Sequence, residues 1–198
     1  MLDAPLRNRL EPSLDRAAGA LAARGVSAGA VTAAGLAVGV AACVAAALAV
    51  WPLALVLWMG NRAADGLDGP LARRSAPSDL GGFLDLVADF VVYGGFVVGV
   101  AVALPDARLA SCALLAAYLR NNVALLTFAS LMEKRRVAYG DERSVRFTPG
   151  LTEATETFLA YALVCLLPGA AEAILWTFTA MVLFTVGQRV VMARRTLA

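Results

Sequence analysis

The chain has 198 residues, of which 60% are apolar and 16% charged, and its formal net charge is +2. Soluble domains average about 45–50% apolar and about 25% charged residues, so the composition argues against an ordinary soluble protein. It argues equally against a disordered chain, which would be poor in apolar residues. The small net charge gives no indication of a nucleic-acid partner. Histidine is absent, which excludes catalysis or metal binding that depends on an imidazole.

The first segment, residues 1–25, has a leucine stripe with mainly four-residue spacing: Leu2, Leu6, Leu10, Leu14 and Leu21. Such a stripe, with arginines off it, predicts an amphipathic helix that lies on a membrane surface and covers one edge of a site. Pro5 and Pro12 interrupt the pattern, so a solvated lead-in segment is the alternative.

Six later stretches are apolar and long enough to cross a bilayer, which takes about 20 residues. They cover residues 27–50, 52–73, 79–104, 108–132, 149–168 and 171–192, the fifth helix starting near Gly150. We therefore predict an all-α polytopic membrane protein. A single domain, residues 1–198, would hold the interfacial helix and a bundle of six transmembrane helices over 27–193.

Positive charges alternate between the connections of these stretches. Arginines precede the first stretch, separate the second from the third and follow the sixth. Arginines and Lys134 separate the fourth from the fifth. The other three connections carry one arginine between them. The positive-inside rule then places both termini in the cytoplasm. We expect a multi-pass protein of a bacterial inner membrane, with its active site on the cytoplasmic side.

Four aspartates lie in or near the ends of apolar stretches, where a charged group is costly and usually functional. Asp65 and Asp68 share one helical face with Asn61, and Asp85 and Asp89 share one face of the next helix. A short turn would make these two helices antiparallel neighbours with facing carboxylates. Such a cluster must be protonated, paired or metal-bound. Oxygen ligands alone favour Mg²⁺, Mn²⁺ or Ca²⁺.

Glycines and arginines accompany the aspartates. Glycine permits close approach of a ligand or of another helix, and the second use is common in membranes. Arg73 and Arg74 could hold phosphate. Together with a metal they favour a nucleotide diphosphate as ligand. Asp79 is predicted to be the N-cap of the third stretch.

The pattern Asp65-x-x-Asp68-Gly69-x-x-Ala72-Arg73, then seven residues, then Gly81-x-x-x-Asp85-x-x-x-Asp89, resembles the signature of the CDP-alcohol phosphatidyltransferases. All its positions are filled. The segment GVSAGAVTAAG at the first stretch is also similar to the family pattern, although Ala28 and Gly29 stand where proline or asparagine is usual.

The resemblance implies metal-dependent transfer of a phosphatidyl group from a CDP-linked lipid to a small polar alcohol, with release of CMP. It implies two Mg²⁺ or Mn²⁺ ions on Asp65, Asp68, Asp85 and Asp89, with Asp89 also the base that takes the acceptor proton. It implies nucleotide contacts from Gly69, Ala72, Arg73 and Gly81, and a homodimer in the bilayer.

The acceptor alcohol is not specified. Glu153 and Glu156, at the start of the fifth stretch, could bind its hydroxyls or an amine, or could cap the helix. Lys134, Arg135 and Arg146 could bind an acceptor phosphate or could serve only as the positive-inside signal. The resemblance to members that use inositol phosphate is incomplete, because Ala154 stands where those members have arginine.

Two other classes stay open on the residues alone. Intramembrane aspartates also form proton or cation pathways, although no inverted repeat is visible here. An aspartate-rich membrane prenyltransferase would also bind a metal diphosphate, although no second paired-aspartate motif follows Asp89.

Overall fold

The computed structural model describes residues 3–74, 77–135 and 151–197, with side chains described from residue 9 onward. This part of the chain is all-helical, as predicted. Its seven α-helices are α1 (Asp3–Ala23), α2 (Ala28–Ala47), α3 (Trp51–Arg74), α4 (Asp79–Ala103), α5 (Arg108–Lys134), α6 (Ala154–Leu166) and α7 (Ala171–Leu197). Single 3₁₀ turns, Pro105–Ala107 and Pro168–Ala170, introduce α5 and α7.

Four of the helical segments are long and apolar enough to cross a membrane, namely α2, α4, and the segments that contain α5 and α7. The protein is therefore a membrane protein with four candidate spans by length and composition, against six predicted. The helix α3 is long enough but carries several charges, and α6 has only 13 residues. Both follow the predicted order of elements, and α1 forms a helix although Pro12 lies inside it.

Two predicted helix starts are wrong, both for local reasons. The N-cap of α4 is Ser78, whose hydroxyl accepts a hydrogen bond of 3.1 Å from the backbone N–H of Gly81; Asp79 is the first helical residue. The helix α6 begins at Ala154 rather than near Gly150, which lies outside the described residues. Glu153 caps α6 in a reciprocal capping box with Glu156, which confirms the capping alternative.

The helix α2 packs against both α3 and α4, whereas α3 and α4 themselves approach closely at few points in the described structure. The expectation that α3 and α4 are neighbours holds for their side chains, which meet for example at Arg62 and Asp89, whereas their backbones stay apart along most of their length. Glycine makes the three-helix packing possible. A Cβ at Gly99 of α4 would lie 2.5 Å from the carbonyl oxygen of Cys43 on α2, and a Cβ at Gly39 would collide with Val92 and Asn61.

An aromatic cluster fixes α6 against α3 and α4. Trp58 lies within ring-contact distance of Tyr93, Phe96 and Tyr161, and Phe96 stacks on Tyr161 at 4.6 Å between centroids. The indole of Trp58 donates a hydrogen bond of 3.3 Å to the carbonyl of Phe158, and the hydroxyl of Tyr161 donates one of 2.9 Å to the carbonyl of Tyr93. Trp58 of this cluster lies one helical turn before Arg62 on α3, so the cluster packs directly beside Arg62.

Candidate active site

Three carboxylates from two helices converge beside α2. Asp65 and Asp68 of α3 and Asp85 of α4 each offer an oxygen, and these oxygens all lie within 4.8 Å of one another. Asp68 is buried and the other two are half-buried. The prediction that the two acidic helix faces meet is confirmed for these three residues, which we call the acid triad. Their clustered oxygen donors fit a hard divalent cation such as Mg²⁺ or Mn²⁺.

Thr32 of α2 orients one member of the acid triad. Its hydroxyl lies 3.0 Å from Oδ2 of Asp68 and 3.1 Å from the carbonyl oxygen of Ala28. A hydroxyl has one proton, so it donates to one of these acceptors at a time. The sequence reasoning missed Thr32, although a lone hydroxyl in the alanine-rich start of α2 was a usable signal.

Arg62 was also missed, and it lies at the centre of the site. Its guanidinium donates to Oδ1 of Asp89 at 2.8 Å, to Oδ2 of Asp65 at 3.4 Å and to the hydroxyl of Tyr93 at 2.6 Å. It also donates twice to Oδ1 of Asn61, at 2.7 and 2.9 Å. Its side chain is only 11% exposed. The spacing of Arg62 and Asp65, three apart on one helix, was the available signal.

Aromatic faces hold the same guanidinium. Its central carbon lies 4.9 Å from the ring centroid of Trp58 and 4.7 Å from that of Tyr93. Cation–π contact of this kind stabilises an arginine whose hydration has been removed. Arg62 is therefore a fixed element of the site rather than a mobile surface cation.

All four aspartates of the motif line one small cleft. The cleft encloses about 10 Å³, on the order of one water-sized sphere. Its lining residues are Thr32, Gly35, Leu36, Asn61, Arg62, Asp65, Asp68, Asp85, Ala88 and Asp89. A single ion fits this volume, whereas a nucleotide would have to lie at its mouth.

The predicted nucleotide contacts lie at the C-terminal end of α3 and the N-terminal end of α4, outside the lining of the cleft. Gly69, Ala72 and Arg73 occupy the last turns of α3, and Gly81 lies in the first turn of α4. Arg73 is exposed, and no hydrogen bond or ion pair holds it within the described structure.

Arg74 differs from its neighbour Arg73. Its guanidinium bonds to α1, 3.1 Å from the carbonyl oxygen and 3.5 Å from the carboxylate of Asp15. Leu14 of α1 lies against Gly66 of α3. The two contacts place α1 beside the end of α3.

The predicted acceptor residues are dispersed. Glu153 and Glu156 meet in the capping box of α6. Lys134 is exposed at the end of α5, and Arg135 donates to the carbonyl of Leu197 at 2.9 Å, which joins the ends of α5 and α7. Arg146 lies outside the described residues.

Arg189 of α7 is a second buried cation, 7% exposed. Its Nε and Nη1 have no hydrogen-bond partner among the described residues, and neither has the hydroxyl of Thr152. The side chain of Gln188, the preceding residue, accepts a hydrogen bond of 3.0 Å from the backbone N–H of Leu151.

An apolar groove of about 370 Å³ lies between α2 and α3. Its lining residues are Val26, Ala30, Val31, Ala34, Gly35, Val38, Gly60, Ala63, Ala64 and Leu67. Gly35 lines both this groove and the acidic cleft. A polar pocket and an apolar groove therefore adjoin across one backbone position.

The family model of the CDP-alcohol phosphatidyltransferases matches residues 26–187. The chain belongs to this family and is a phosphotransferase of membrane phospholipid metabolism. It is 37% identical over 172 residues to the inner membrane protein YnjF of Escherichia coli (strain K12), covering 85% of this chain and 83% of that protein.

The fold is similar to the crystal structure of Mycobacterium tuberculosis phosphatidylinositol phosphate synthase (PgsA1) with CDP-DAG bound. The TM-score is 0.69 at 18% sequence identity, with 89% of this chain and 91% of that chain covered.

Proposed function

We propose that the protein transfers a phosphatidyl group from a CDP-linked lipid such as CDP-diacylglycerol to the hydroxyl of a small polar alcohol. The new bond joins the acceptor oxygen to the lipid-side phosphorus, the pyrophosphate bond breaks, and CMP leaves. The observation that carries the proposal is the acid triad, with oxygens within 4.8 Å of one another, in a chain that belongs to this family.

The acid triad would hold the divalent metal, Mg²⁺ or Mn²⁺. Metal ions at such a site neutralise a pyrophosphate and stabilise the leaving phosphate charge. The resemblance implies two ions, the second completed by Asp89. The acid triad provides one compact set of ligands in this chain, so ligands for a second ion would have to come largely from the donor.

The chain's own residues have separate tasks in this proposal. Thr32 holds the Asp68 carboxylate in position through its hydroxyl. Asp89 takes the proton of the acceptor hydroxyl as general base, and Arg62 orients the carboxylate. Arg73, exposed at the end of α3, binds a phosphate of the nucleotide, and Gly69, Ala72 and Gly81 allow the nucleotide to approach the backbone.

The apolar groove supports a lipid donor. It adjoins the acidic cleft at Gly35, and its lining is made of small and branched apolar side chains. A donor with a charged head and an acyl tail needs a polar pocket and an apolar surface side by side. We propose that an acyl chain of the donor lies in this groove.

The acceptor site lies near the start of α6 in this proposal. Short connections make consecutive helices from α3 to α5 antiparallel, and the Trp58–Phe158 hydrogen bond sets the start of α6 near the level of Arg62. Glu153 and Glu156 would bind acceptor hydroxyls through their carboxylate oxygens. Lys134, Arg135 and Arg146 would attract a phosphorylated acceptor from the cytoplasm.

Six crossings, an interfacial α1 and a homodimer complete the proposal. The apolar half of α3 and the short α6 would each cross the membrane, with their polar ends at the cytoplasmic interface. The arginines at the C-terminal ends of α3, α5 and α7 support a cytoplasmic active site and cytoplasmic termini. The domain would be single over residues 1–198.

Ligand-dependent thermal protection tests this function. The purified protein in lipid nanodiscs is heated with Mg²⁺ plus CMP, CDP-diacylglycerol, or geranyl diphosphate. A transferase of this kind is protected by CMP and CDP-diacylglycerol and not by geranyl diphosphate. Protection by the prenyl diphosphate alone would favour a prenyltransferase. Protection by metal with no effect of any nucleotide would favour ion transport and contradict the proposal.

A further inference from the structure

The four carboxylates of the cleft divide into two unequal sets. Asp65, Asp68 and Asp85 cluster within 4.8 Å, and Asp89 is not part of that cluster. Asp89 instead accepts a hydrogen bond of 2.8 Å from Arg62. Asp65 touches both sets, because it belongs to the acid triad and lies 3.4 Å from the same guanidinium.

The guanidinium of Arg62 is fixed in position by many contacts. Five hydrogen bonds join its guanidinium to Asn61, Asp65, Asp89 and Tyr93. The rings of Trp58 and Tyr93 lie against it within 5 Å. Moving the guanidinium out would leave the buried Asn61 and the half-buried Asp65, Asp89 and Tyr93 without this partner, which is costly.

We propose that Arg62 is a built-in countercation that holds Asp89 away from metal, so that the donor-free protein binds one divalent ion rather than two. The proposal rests on the proposed function only in placing a metal at the acid triad. An ion bound beside Asp89 would lie close to the fixed positive charge of Arg62, because both residues line a cleft that encloses only about 10 Å³. Like charges at such short range oppose each other strongly where water is scarce.

Arg62 is a positioning residue in this account, and it acts through Asp89. Because Arg62 holds Oδ1 of Asp89, the arginine rather than a metal ion orients that carboxylate. The arginine also supplies one positive charge beside Asp65, so the acid triad with one ion is closer to neutrality. A small-alcohol acceptor would then meet a base that is oriented before any donor arrives.

The test is the stoichiometry of Mn²⁺ binding to the full chain in nanodiscs without any nucleotide, by equilibrium dialysis. The wild type should bind one Mn²⁺ per chain. Asp89→Asn should still bind one, because Asp89 is not a ligand in this state. Arg62→Gln should bind a second Mn²⁺, because Asp89 is released and the positive charge is gone. Arg62→Lys keeps the charge and should bind one.

The matched control is Asp68→Asn, which removes a member of the acid triad and should abolish binding of the first ion. Two ions in the donor-free wild type, or one ion in Arg62→Gln, would overturn the proposal. A merely structural role for Arg62 would lower thermal stability in the variant without raising the number of bound ions. Should Arg62→Gln fail to fold, two ions in the wild type or loss of the ion in Asp89→Asn would each overturn the proposal.

The outcome is separable from the proposed function. Stoichiometries that follow this pattern in a protein that releases no CMP would leave the role of Arg62 intact and remove the function. CMP release by a protein that binds two ions without donor would keep the function and remove this role of Arg62.

Discussion

The hydroxyl of Thr32 on α2 donates to Oδ2 of Asp68 on α3 across 3.0 Å, although the two residues are 36 positions apart in the sequence. This contact joins α2 to the acid triad and selects the orientation of its most buried member. Groups that orient metal ligands in this way commonly change metal affinity by about 10–100-fold when removed.

Thr32→Val should therefore weaken Mn²⁺ binding by about tenfold or more, because Asp68 loses its hydrogen-bond donor while the side-chain volume is kept. Thr32→Ser retains the hydroxyl and should bind Mn²⁺ nearly as the wild type does. Isothermal titration of the two variants with Mn²⁺ gives the comparison. Equal affinities for valine and serine would show that the contact does not position Asp68.

Arg73 and Arg74 form a matched pair for the nucleotide site. Arg73 is exposed and has no described partner, whereas Arg74 bonds to Asp15 of α1. Arg73→Ala should raise the KM for a CDP-linked lipid by about tenfold, since a charge-assisted hydrogen bond to phosphate is lost.

Arg74→Ala is the control for that variant. It should leave this KM nearly unchanged and lower the free energy of unfolding by at most about 1 kcal/mol, as expected of an exposed ion pair. Steady-state kinetics at varied donor concentration separates the two variants. A larger rise in KM for Arg74→Ala than for Arg73→Ala would contradict the assignment.

The close packing of α2 on α4 depends on Gly99. A methyl group there would lie 2.5 Å from the carbonyl oxygen of Cys43, and backbone cannot move aside cheaply. Gly99→Ala should lower the free energy of unfolding by about 1–3 kcal/mol, measured by SDS titration in mixed micelles.

Gly94→Ala on the same helix is the control, because its added methyl group would meet Leu115 only at an ordinary 3.9 Å. Alanine is also the better helix former, so this variant should be neutral or more stable. A comparable loss in both variants would point to a general effect of the α4 backbone rather than to the contact with Cys43.

The crossings of α3 and α6 can be tested by labelling single cysteines in a cysteine-free background. Asp106→Cys and Gly169→Cys should react with an impermeant maleimide added to intact cells, and Gly25→Cys only after permeabilisation. A protected Asp106→Cys with reactive Ala49→Cys would show that α3 does not cross. A protected Gly169→Cys with reactive Asp106→Cys would show the same for α6.

Much of the helical order was predictable, because apolar runs separated by proline, glycine and charge mark helix ends directly. The aspartate faces were predictable from helical spacing, which depends only on local geometry. The N-cap of α4 is Ser78 rather than Asp79. The sequence did not predict this choice, because serine and aspartate are similarly good N-caps.

The relation of α2 to the site was not predictable in this way. A short connection between α3 and α4 indicates direct packing, yet small residues at Gly35 and Gly39 let α2 enter between them. The role of Arg62 depends on that arrangement, since its partner Asp89 lies on a helix whose distance from α3 the sequence does not give.

CMP release from CDP-diacylglycerol by the purified protein is the measurement that tests the central claim most directly. The assay contains Mg²⁺ and a panel of acceptors: glycerol 3-phosphate, inositol phosphate, inositol, serine and phosphatidylglycerol. Release should depend on one acceptor and should be lost on addition of EDTA and in Asp89→Asn. Acceptor-dependent release that persists in Asp89→Asn or in EDTA would contradict the assigned base or metal. Absence of release with every acceptor, together with absence of CDP-diacylglycerol binding, would contradict the transferase function itself.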